Sequence, residues 1–107
     1  MVSKTYTRTT CSGKIRVVVN RDDNKKFCSV QIYPPTKTND CGCSFAFALQ
    51  DLLTFALKRS ENDHDVKLIL KGLAGQHCMA MIANEHHAKS CVDHIAQVLK
   101  KEFLDAE

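Results

Sequence analysis

A chain of 107 residues with fifteen Lys and Arg, twelve Asp and Glu and a net charge of +3 has room for a single domain, 1–107, with one modest core. Apolar residues make up 44%, with no Trp, two Tyr and five Phe, so Leu, Ile, Val, Ala and Cys must supply that core. Charges of both signs are interleaved and every apolar run is short, which argues against a concentrated nucleic-acid footprint, a membrane span or a secretory signal.

Residues 1–10 are polar and lack helical periodicity; the first eight are expected to be flexible, fraying or joining the fold late as an edge. From Lys14 to Asn20 the residues Ile15, Val17 and Val19 alternate onto one face, and from Phe27 to Tyr33 Cys28, Val30 and Ile32 do the same, which predicts two strands. Between them Arg21–Lys26 contains Asp22, Asp23 and Asn24, which favour turns, so the strands should form an antiparallel hairpin. Pro34 and Pro35 end the second strand, and 36–42 reads as a loop.

At Ser44 the period changes. Phe45, Ala48, Leu49, Leu52, Leu53, Ala56 and Leu57 recur at helical spacing, with Gln50, Asp51, Thr54, Lys58 and Arg59 mainly opposite. Ser44 is the expected N-cap of this central helix, and Lys58 and Arg59 suit its negative end. After the polar break 60–64, Val66, Ile69, Leu70 and Leu73 mark a shorter helix ending near Gly72 or Gly75. The stretch 77–83 reads equally as a third short strand or a buried loop. A last helix opens with Ser90 as N-cap and Asp93 three residues on, and buries Val92, Ile95, Val98, Leu99 and Phe103. The fold class is therefore α+β, a hairpin packed with three helices.

Six cysteines without a secretory signal point to thiolates kept for metal or redox work in the cytoplasm. No C-x-x-C pair occurs among them, so position has to discriminate. Cys28 lies on the apolar face of a strand and reads as a small buried hydrophobe. Cys43 and Cys91 each fall at a predicted helix N-terminus, where unused N–H groups and the helix dipole favour a thiolate. Cys11 precedes the hairpin and Cys78 follows the second helix. One ligand from each of four segments would tie hairpin, central helix, connector and last helix to a single structural zinc ion, with Cys41 and His77 as reserve ligands. The competing reading is that all six are buried thiols.

Several short motifs resemble those of the TSCPD domain family. Lys89-Ser90-Cys91-Val92-Asp93 is similar to the signature T-S-C-P-D, and Thr10-Cys11-Ser12-Gly13-Lys14-Ile15 resembles the family's T-C-S-x-x-I. Gly42-Cys43 stands before a long amphipathic helix as the family's G-C element does; Leu70-Lys71-Gly72 leads to Cys78 as in L-x-G-x-x-C, and Cys91–Ala96 is similar to C-x-D-x-[IL]-A. The resemblance covers about residues 9 to 100 and selects Cys11, Cys43, Cys78 and Cys91. Val92 in place of Pro, Lys89 in place of Thr, an added Cys41 and a longer 79–88 segment are departures.

Members of the family occur at the C-terminus of adenosylcobalamin-dependent ribonucleotide reductases and as small standalone proteins. The resemblance thus implies a non-catalytic zinc-stabilised binding or regulatory module linked to ribonucleotide reductase or nucleotide metabolism, with a protein partner or a second copy of itself. Two alternatives stand beside it. A thiol redox relay would use Cys41-Gly42-Cys43 as an exchanging pair. Weak nucleic-acid binding would use Lys14, Arg16, Arg21, Lys25 and Lys26, although no aromatic platform is interleaved with these cations. Cys91 and His94 share a helix face as a nucleophile and base would, but a surface histidine explains His94 more simply.

Overall fold

A computed structural model of the chain describes residues 1–10, 13–35, 40–74 and 91–104. Their order is β1 (Val2–Thr10), β2 (Gly13–Arg21), β3 (Phe27–Tyr33), α1 (Asp40–Lys58), α2 (Asp63–Lys71) and α3 (Cys91–Phe103), an α+β arrangement. The chain divides into two compact units, Met1–Arg59 and Ser60–Glu107. The stretch 77–83, read as a strand or a buried loop, lies outside the described residues.

The first unit is built on an antiparallel sheet of order β1-β2-β3. Residues 1–8 were expected to be flexible, fraying or joining as an edge; Val2–Thr10 is the edge strand of the sheet, paired with β2 along its whole length, from Val2↔Arg21 to Thr10↔Gly13. Four β-branched Thr flank Tyr6 in this segment, and such residues suit a pleated ladder even where they bury little. The expected hairpin is β2 and β3. Its register, Val19↔Val30 and Val17↔Ile32, brings Ile15, Val17, Val19, Val30 and Ile32 onto one buried face.

Two local devices hold this register. In the turn, Asp22 Oδ1 accepts from the backbone N–H of Asn24 and of Lys26, both at 2.9 Å, while Lys25 sits in the left-handed region at φ 65°. On the face away from the core, buried Asn20 joins all three strands: Ser3 Oγ donates to its Oδ1 at 2.6 Å, and its Nδ2 donates to Ser29 Oγ at 3.0 Å and Gln31 Oε1 at 3.3 Å. A register shift at Asn20/Arg21 pairs Arg21 with Phe27. Cys28, expected to be a buried hydrophobe, sits at this irregularity; it is half-buried, and its thiol lies 3.7 Å from the Lys26 carbonyl oxygen.

Helix α1 packs along β3 but is rotated relative to the sequence expectation. Leu53 and Leu57 are buried as expected, whereas Gln50 and Thr54, placed outside by their polarity, face the sheet. Gln50 Oε1 accepts from the Ile32 N–H at 2.8 Å. Thr54 Oγ1 accepts from the Val30 N–H at 3.1 Å and donates to the Val30 carbonyl at 3.3 Å. The cause is the border position of β3: its outward backbone groups need partners, and two polar side chains of α1 supply them. Phe45, Ala48, Leu52 and Phe55 are consequently left on the exposed side. The helix also begins at Asp40 rather than after Ser44.

In the second unit, α2 packs on α3. Asn62 caps α2, its side chain accepting from the Asp65 N–H at 3.0 Å, and Gly72 closes the helix in a right-handed conformation. Val66, Leu70 and Leu73 are buried. Along α3 burial extends round most of the circumference: Asp93, His94, Ile95, Ala96, Val98 and Leu99 are all buried, while Val92 and Phe103 are half-buried. His94, expected at the surface, is only 3% exposed, because α3 buries far more than the single stripe its apolar spacing suggested.

Candidate metal centre

The proposed ligands are Cys11, Cys43, Cys78 and Cys91, with Cys41 and His77 in reserve. Cys11, Cys78 and His77 lie outside the described residues. Cys91 is the first residue of α3, its backbone described and its side chain not. Cys43 is therefore the member of the set whose side chain is placed: it is half-buried in the first turn of α1, following Asp40, Cys41 and Gly42. Among the described residues, no three His, Cys, Asp or Glu side chains gather as a metal site.

What the structure supplies is the setting of two of the four positions. Cys43 and Cys91 both belong to the first turn of a helix, the end at which the helix dipole is positive. A tetrathiolate zinc site carries a net charge of −2, so sulfur ligands at such positions are electrostatically favoured. Asp93, also in the first turn of α3, is buried and accepts from Gln97 Nε2 at 3.0 Å. Within α3, it and His94 are buried polar side chains whose burial the sequence reading did not anticipate. The available signal was their position between Val92 and Ile95, inside an apolar run.

Cys41 and Cys43 lie two residues apart on α1, so their side chains diverge by about 200° around the helix axis. Cys41 is exposed and Cys43 half-buried, in keeping with that divergence. The basic residues of the hairpin separate as well. Lys14 and Arg16 lie exposed on the sheet face away from the core, with the Arg16 guanidinium 4.9 Å from the Tyr33 ring centroid, whereas Lys25 and Lys26 lie in the turn beyond the far end of β2. At about 3.4 Å per residue, the length of β2 keeps them roughly 25 Å apart. Among the described residues, no helix is long and apolar enough to cross a membrane.

The family model of the TSCPD domain matches residues 1–103, a span that includes all four candidate ligands. No curated protein and no solved structure matches the chain.

Proposed function

This chain belongs to the TSCPD domain family, and on that footing we propose that it is a non-catalytic binding or regulatory module stabilised by one structural zinc ion, linked to ribonucleotide reductase or nucleotide metabolism. Its ligands are Cys11, Cys43, Cys78 and Cys91. The observation that carries the reading is the placement of Cys43 and Cys91 in first helical turns, within a family match that runs through every one of the four. Thiolate ligands are best kept in a reducing compartment, which favours the cytoplasm as the location of such a module. Its partner is a protein surface.

The redox alternative is less well supported by the same helix. An exchanging Cys41–Cys43 disulfide needs Cβ atoms about 3.8 Å apart, which two residues on nearly opposite sides of a helical turn cannot provide unless that turn unwinds.

Elemental analysis of the purified, untagged chain tests the proposal, with about one zinc per chain expected. Cys91→Ser should lose the metal and unfold or melt far below the wild type, since metal-binding free energy is folding free energy in such sites. Iodoacetamide should label exposed Cys41 at once and the four ligands only after chelation. Metal-free protein, together with a Cys91→Ser variant that melts like the wild type, would show the reading to be wrong.

A further inference from the structure

The exposed side of α1 has an order of its own. From Cys41, the positions Phe45, Ala48, Leu52, Phe55 and Arg59 follow at alternating spacings of four and three, the pattern of a coiled-coil seam, and each of them is exposed. Phe45 is 76%, Leu52 66% and Phe55 56% exposed, while the opposite side of the same helix is engaged with β3. Buried and exposed stripes on one helix are ordinary; an exposed stripe that is itself apolar marks an interface.

We propose that α1 packs antiparallel against α1 of a second copy of this chain, about a two-fold axis passing at the level of Gln50. The argument for this occupant is the self-complementarity of the seam. Turning the helix end for end about Gln50 sets Phe45 opposite Phe55 of the second copy, Ala48 opposite Leu52, and Cys41 opposite Arg59. An isologous contact requires such pairing of one patch with itself, and here it yields two aromatic layers outside two small-against-large layers. The Arg59 guanidinium, 3.7 Å from the Phe55 ring centroid, closes each aromatic layer at its outer end. Asp51 flanks the axis beside its symmetry mate and opposes the contact, so the dimer is reversible rather than obligate.

Size supports the same occupant. An aromatic side chain presents about 150–250 Å², so the three large residues with Ala48 and half-buried Leu49 offer on the order of 400–500 Å² of apolar surface. Interfaces are roughly 60% apolar, so a contact covering this stripe would bury about 650–850 Å² per partner, close to the size of a standard interface.

Sedimentation of the full chain under reducing conditions, over a concentration series, reads the result. Twice the 12.0 kDa chain mass is expected at high concentration. Leu52→Glu should raise the dissociation constant at least about 100-fold by placing a carboxylate in the seam, with the far-UV spectrum unchanged, and the urea midpoint unchanged at concentrations where the wild type is monomeric, because the side chain is exposed. Leu52→Ala should weaken the dimer about tenfold or more, and the exchanged pair Ala48→Leu with Leu52→Ala should recover it, since every layer regains its composition. A chain that stays monomeric to about 1 mM overturns the proposal. So does a dimer indifferent to Leu52→Glu, or an exchanged pair no tighter than Leu52→Ala alone.

Discussion

Thr54→Val tests whether α1 is held to the sheet by hydrogen bonds as well as by apolar burial. The substitution keeps the shape of the side chain and removes a hydroxyl that both accepts from and donates to Val30, at 3.1 and 3.3 Å. Val30 is buried, so its N–H and carbonyl gain no ready access to water. A net loss of about 0.5–1.5 kcal/mol per hydrogen bond, with some penalty for the groups left unsatisfied, gives about 2–3 kcal/mol. With an unfolding entropy near 2.1 cal/mol/K per residue, a chain of 107 residues should melt about 9–13 °C lower. Urea denaturation should show the midpoint falling with its slope unchanged, and amide exchange at Val30 should accelerate. Thr54→Ser, which keeps the hydroxyl, should cost less than about 1 kcal/mol. A valine variant melting within about 2 °C of the wild type would refute the idea that these bonds orient α1.

Asn20→Ala breaks the link among Ser3, Ser29 and Gln31 and should cost about 1–3 kcal/mol by thermal melting, whereas Ser3→Ala, which removes a single contact, should cost about 1 kcal/mol. Asn62→Ala should destabilise α2 by about 1 kcal/mol through loss of its N-cap, seen as faster amide exchange in 63–66. Lys25→Gly should stabilise the chain by up to about 1 kcal/mol, because glycine occupies a φ of 65° without the Cβ conflict that lysine carries there. His94→Lys, forcing an ammonium into a site 3% exposed, should lower the melting point by far more than Lys100→Ala on the exposed side of the same helix.

Strict alternation made β2 and β3 legible, since Ile15, Val17, Val19, Val30 and Ile32 leave only one way to bury a face. Helix α2 was legible from its apolar spacing, with Gly72 marking its end. What failed was any inference in which polarity stood for exposure. Gln50 and Thr54 were assigned to solvent because a side chain's need for a partner is visible in a sequence while the partner is not; the bare border of β3 exists only once the sheet has formed. His94 was misjudged for the same reason, its polarity and the narrow apolar stripe concealing the full extent of burial around α3. Strand β1 buries little, and its alternation of Thr with Lys4, Tyr6 and Arg8 carries no core signal, so only the pairing with β2 reveals it. Of the metal set, the ordered cysteine motifs were readable from the sequence; Cys43 and Cys91 lie in the first turns of α1 and α3, while Cys11 and Cys78 lie outside the described residues.

Occupation of one sheet border by Gln50 and Thr54 makes the sheet directional in its capacity to grow. A further strand, whatever its origin, cannot be added beside β3 without first displacing a helix; it has to align along Val2–Thr10. There it meets Lys4 and Arg8, cationic side chains that penalise an incoming strand unless it brings acidic residues in matching register. Extension of this fold is thereby confined to one flank and made selective for charge.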